Sequence, residues 1–124
     1  MRTIITEIRR RAPRVRIIFV DYLTILPPSG TCAALPMPVA QADAARAVAL
    51  RLADVTARAA AAEGAETLRI SAPSAAHHAC AKDSWANGWK GEFDAGGVRF
   101  HPNSRGMTAI ADSLEHLIVK GSQP

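Results

Sequence analysis

The sequence predicts an α/β domain built on a parallel sheet, and three observations carry that expectation. Residues 14–22 have an unbroken β-branched and aromatic centre, Ile17-Ile18-Phe19-Val20, and a strand apolar on both faces belongs in a parallel sheet covered by helices on each side. A long Ala-rich helical segment then leads to a second strand candidate at Glu66 to Ile70. The order along the chain is helix, strand, helix, strand, long loop, helix, with no internal repeat, which is the pattern of layered α/β architecture.

Each element has its own local reason. Thr3 to Arg11 places Ile4, Ile5 and Ile8 on one helical face and stops at Ala12-Pro13, because proline disfavours helix in the residue before it. Leu23 to Pro38, rich in Pro and small residues, reads as a loop leaving the C-terminal end of the first strand, the side on which open α/β sheets bind ligands. Ala40 to Glu63 repeats Ala45, Val48, Leu52, Val55 and Ala59 at helical spacing, with Asp54 and Arg58 four apart and Gly64 as a stop. Ser71 to Phe100 is a long polar stretch, of a kind that in a compact domain is more often functional than accidental. Ser104 to Val119 gathers Met107, Ile110, Ala111, Leu114, Leu117 and Ile118 on one face of a last helix.

With 124 residues the chain is one modest domain, residues 1–124, shorter than most complete α/β hydrolases. Its 48% apolar and 21% charged residues are those of a soluble globular protein, not a disordered or collagenous one. The net charge of +4 is concentrated in Arg9, Arg10, Arg11, Arg14 and Arg16. Such a cluster serves either an anionic partner or a helix C-terminus, where cations offset the partial negative charge. The single Tyr and the two Trp are not interleaved with it, so nucleic acid is not the expected partner. The Arg run before IIFVDYLTIL imitates a signal peptide, but Asp21 interrupts the apolar run and helix-forming residues precede the arginines, so no export signal is expected in this chain. No run of about 18 apolar residues spans a bilayer.

His101 is the residue best placed for chemistry. It ends the long loop and is followed by Pro102 and by Asn103, which can cap the last helix. A general base must be held in one orientation, and a short tether at a helix start does that. The competing reading is a surface histidine beside an ordinary cap.

The run His101-Pro102-Asn103-Ser104-Arg105-Gly106 before an apolar helix resembles the C-terminal histidine block of the SGNH, or GDSL, serine esterases and lipases. Phe19-Val20-Asp21-Tyr22 with its Pro-rich loop resembles the family's strand after its asparagine block. Ser74-Ala75-Ala76-His77-His78-Ala79-Cys80 and Trp85-Ala86-Asn87-Gly88 resemble a pattern of its secreted bacterial branch. The resemblance covers nearly the whole chain and only about the C-terminal half of such an enzyme. It implies a partial, flavodoxin-like three-layer α/β/α sandwich in which a serine attacks a small-molecule or lipid ester and His101 is its general base, without a cofactor.

The family's serine, glycine and asparagine blocks precede this part, and none is found here. Ala111-Asp112-Ser113-Leu114 lacks the glycine and lies within a helix, and Lys82-Asp83-Ser84-Trp85 lacks a strand-to-helix turn. Where the family often has an Asp three residues before the histidine, this chain has Val98. The resemblance then implies that the Val98 backbone carbonyl orients His101, with Asp94, folded back through Ala95-Gly96-Gly97, as the alternative. The family pattern also implies a disulfide between Cys32 and Cys80, worth about 4 kcal/mol in the chain-entropy model and suited to secretion of the full-length member; two reduced thiols are the other reading.

Trp85 and Trp89 either wall an acyl pocket or pin the long loop. His77 and His78, adjacent in a loop, point to opposite sides and find no Cys-x-x-Cys or second His pair, so no metal is expected. Parallel strands lacking neighbours leave apolar edges, through which the chain could associate. The reading opposed to an ester hydrolase is a catalytically inactive α/β fragment or binding module.

Overall fold

Both expected strands are present and run parallel. β1 (Ile18–Val20) pairs with β2 (Glu66–Leu68) in the register Ile18↔Glu66, Phe19↔Thr67, Val20↔Leu68, in a computed structural model that describes residues 1–89 and 98–120. The strands are shorter than the segments that composition marks out. Glu66 N–H to the Ile17 carbonyl and Asp21 N–H to the Leu68 carbonyl add one bond at each end. Among the described residues each strand has one neighbour, so the flanking residues have no further ladder to join.

Among the described residues three α-helices surround this pair: α1 (Arg2–Arg11), α2 (Val39–Ala62) and α3 (Ser104–Lys120). α1 and α2 share one face of the sheet, where buried Ile5, Ala60 and Ala65 pack with Ile17 and Phe19. Side chains alternate along a strand, so Arg16 leaves from the opposite face. It pairs with Glu66 and donates to the Leu117 and Ile118 carbonyls at the end of α3, where a cation complements the helix dipole. The arrangement is a partial α/β fold with helices on both sides of a parallel sheet.

The basic cluster is largely used internally. Arg2 pairs with Glu63, Arg9 donates to the Gly64 carbonyl, and Arg10 and Arg11 both bond Glu7, whose carboxyl they hold below the ordinary carboxylate range. Gly64 has φ +67 at the end of α2, a left-handed stop that glycine adopts without steric cost.

α2 does not use the face its larger residues mark out. Ala42 and Ala60 are fully buried, whereas Val48, Leu52 and Val55 are 66%, 61% and 45% exposed. Small side chains bring the helix close to the sheet, and the valine and leucine stripe is left on the flank, about a third of a turn away.

The larger core lies under the loops at the C-terminal ends of the strands. Leu23, Leu35, Ile70, Ala79 and Ala86 are buried there, with Trp85, Phe100 and Ile110 packed around them. The described part of the long segment from Ser71, as far as Trp89, packs against this core and opens with a 3-10 turn at Pro73–His77. The buried Asp21 carboxylate accepts both the backbone N–H and the hydroxyl of Ser71, which ties the loop after β1 to the loop after β2. Cys32 and Cys80 form the expected disulfide between the same two loops, with a Cα–Cα distance of 5.9 Å. No helix among the described residues is long and apolar enough to cross a membrane.

Candidate active site

His101 stands on a corner whose bonds explain the spacing of its motif. The Asn87 N–H donates to the His101 carbonyl at 2.9 Å and the Phe100 N–H to the Asn87 carbonyl at 3.2 Å, while Ala86 and Pro102 form an antiparallel bridge. Asn103 then starts α3. Its Oδ1 accepts the Gly106 N–H at 3.0 Å, and its Nδ2 donates to the Ser84 carbonyl at 2.8 Å, so one side chain caps the helix and docks it. Gly106 is required because a Cβ there would lie 2.2 Å from the Trp85 carbonyl oxygen.

The imidazole is exposed, and its Nδ1 lies 2.8 Å from the Arg99 carbonyl. A carbonyl can only accept, so Nδ1 carries the proton and Nε2 keeps its lone pair. The carbonyl at this position is that of Arg99, not of Val98. The Val98 oxygen is taken by the His101 backbone N–H at 3.2 Å and by Asn87 Nδ2 at 3.1 Å. The turn responsible has Phe100 at φ +59, which swings the Arg99 carbonyl under the ring. Asp94, the alternative orienting group, lies outside the described residues.

Tyr22, just past β1, meets the same corner. Its hydroxyl donates to the Phe100 carbonyl at 2.9 Å, and its ring stands edge-on to the imidazole at 6.3 Å. Partial burial raises the phenol's pKa above its ordinary value.

Comparison with known families matches residues 1–109 to the GDSL-like lipase/acylhydrolase family. The chain belongs to that family. Among solved structures, the crystal structure of phospholipase A1 from Streptomyces albidoflavus NA297 is similar, with a TM-score of 0.69 at 25% identity over 82% of this chain and 42% of that one. This GDSL-family chain thus spans less than half the length of that relative, and the likeness extends the partial α/β fold to that of an SGNH hydrolase. A comparison with curated protein sequences finds no match.

Within the GDSL-family chain the two tryptophans part company. Trp89 is 46% exposed, 6.0 Å from Phe100, with the Arg99 guanidinium 4.8 Å above its ring, so it stands at the histidine corner. Trp85 is half-buried and stacks on His77 at 4.1 Å. It lines a shallow groove of about 390 Å³ with Asp83, Ser104, Arg105, Thr108 and Asp112, on the outer side of α3.

His77 Nδ1 bonds the Asp83 carbonyl, whereas His78 Nδ1 accepts the Cys80 N–H; among the described residues no cluster of three His, Cys, Asp or Glu side chains is placed to hold a metal. Ser113 and Ser84 use their hydroxyls locally, on the Ala109 and Ala86 carbonyls. Sequence reasoning missed Tyr22 and Asn87 as neighbours of His101, although both stand in the stretches that carry the family resemblance. It also missed that Asp21 ties the two loops together through Ser71.

Proposed function

We propose that this chain contributes the histidine-bearing, C-terminal portion of one SGNH hydrolase domain acting on carboxylic esters, with His101 as general base and the serine nucleophile outside residues 1–124. The observation that carries the reading is the Nδ1 bond to the Arg99 carbonyl, which leaves Nε2 able to take a proton. As a serine Oγ attacks the ester carbonyl, its proton passes to Nε2. The imidazolium then gives that proton to the leaving alcohol, and a water deprotonated by the same nitrogen releases the acyl group. The Arg99 carbonyl steadies the imidazolium with a dipole rather than a full charge. The oxyanion donors belong with the serine, outside this chain.

Three features support a missing companion. The outer edge of β1 is unpaired among the described residues, the Val48–Leu52–Val55 flank is bare, and the chain spans 42% of its solved relative. The sheet edge is the surface through which the rest of the domain would join. Trp89 is the better candidate for the acyl pocket and Trp85 the more distant one. The Cys32–Cys80 bridge suits an oxidising, extracellular compartment.

The test joins this chain to the polypeptide encoded immediately upstream of Met1. The joined protein is expected to hydrolyse p-nitrophenyl esters and to lose turnover on His101→Ala. The chain alone should match its own His101→Ala variant, and turnover by the chain alone that is abolished in that variant would overturn the absence of a nucleophile. A non-catalytic binding module is the second reading, favoured by the local engagement of Ser84 and Ser113. Failure of the joined protein to turn over any ester would select it.

A further inference from the structure

Phe100 is a bulky residue in the left-handed region, at φ +59. Such a conformation costs about 1–3 kcal/mol and persists only where the surroundings over-determine it. The peptide between Arg99 and Phe100 carries the carbonyl that meets His101 Nδ1, and φ of Phe100 sets how that peptide is turned relative to the imidazole. Relaxing Phe100 to negative φ would therefore move the acceptor away from the ring.

Besides the bond that closes it, from the His101 N–H to the Val98 carbonyl, four hydrogen bonds among the described residues hold the turn. Three come from one side: Phe100 N–H to the Asn87 carbonyl, Asn87 N–H to the His101 carbonyl, and Asn87 Nδ2 to the Val98 carbonyl. The fourth is the Tyr22 hydroxyl on the Phe100 carbonyl, and it comes from the far side, off the end of β1. Tyr22 is 52% exposed, so its ring is not what fills the core.

We infer that Tyr22 is a positioning residue for the base: its hydroxyl clamps the strained turn at Phe100 and so fixes the proton of His101 on Nδ1. The inference rests on the reading of His101 as the base, and it ties the state of that base to the end of the sheet.

The test is a nitrogen NMR measurement on the histidine-labelled chain, which needs neither nucleophile nor substrate. In the native chain His101 should hold its proton on Nδ1. Tyr22→Phe removes one oxygen and keeps the ring; it should shift the ratio of Nδ1–H to Nε2–H forms about fivefold toward Nε2–H, the factor carried by one ordinary hydrogen bond. The Nδ1–H of His77, bonded to the Asp83 carbonyl, should stay unchanged and reports that the fold persists.

Phe100→Gly supplies the second variant, because glycine adopts positive φ without strain. Adding Tyr22→Phe to it should leave His101 on Nδ1. An unchanged His101 ratio in Tyr22→Phe, or an equal loss with and without the glycine, overturns the inference. A null ester-hydrolysis result with a tautomer shift as described would overturn the enzymatic reading alone.

Discussion

The corner that carries His101 and the outer flank of α2 are built to different standards. At the corner, Asn87, Asn103 and Tyr22 meet partners within the chain at 2.8–3.2 Å. On the flank, Val48, Leu52 and Val55 face solvent. Hydrogen bonds need one partner at short range, and this chain supplies both members of each pair. Apolar burial needs a whole neighbouring surface, which the described residues do not provide. The histidine corner thus finds its partners among the described residues while the α2 flank does not, and changes at the two places should have unequal consequences for the isolated chain.

The largest effect should come from the bridge that holds the two loops beneath the corner. Replacing Cys32 and Cys80 together by Ala is expected to lower stability by about 4 kcal/mol in the loop-entropy picture, read as a fall in the urea midpoint. A loss well under half of that would mean that the Asp21–Ser71 bonds already fix the loops. Gly106→Ala should follow at about 3 kcal/mol, since the new methyl meets the Trp85 carbonyl at 2.2 Å and backbone rather than a flexible side chain must give way. An unchanged thermal midpoint would mean that α3 is less tightly docked than the contact implies.

Asn103→Ala removes the α3 cap and the bond to the Ser84 carbonyl together. About 1–2 kcal/mol is expected, and Asn103→Asp should recover the cap but not the second bond. Equal losses in the two variants would assign the whole effect to docking.

How much of this was legible follows the same division between local and distant causes. Helix limits, Gly64 as a stop and Asn103 as a cap depend on neighbouring residues, and the periodicity placed each helix end within a residue of where it lies. The start of α3 just after His101 was legible because Asn103 caps the helix and Gly106 allows its close approach to Trp85. The Arg99 carbonyl was not, because the choice between it and Val98 depends on φ at Phe100, a torsion imposed from Asn87 and Tyr22. The packed face of α2 was missed for another reason. Alanine carries little hydrophobic signal, so the pattern pointed to valine and leucine, while close packing selected Ala42 and Ala60.

The flank itself gives the smallest effect in the isolated chain and the sharpest test of the comparison. Leu52 is 61% exposed, so Leu52→Gln should change the stability of the isolated chain by less than about 0.5 kcal/mol, as surface substitutions do. In the protein joined to its upstream polypeptide the same substitution should cost about 2–5 kcal/mol, the range for truncating a buried leucine, because the stripe would then lie inside a core. Denaturant titration of the four proteins separates the cases. A loss of 2 kcal/mol or more in the isolated chain would show that the flank is already covered there, by a second copy or by the chain itself, and a zero effect in both would show that the upstream polypeptide seats elsewhere. Only the combination of no effect alone and a large effect when joined fits a chain whose histidine corner finds its partners internally and whose hydrophobic core is shared.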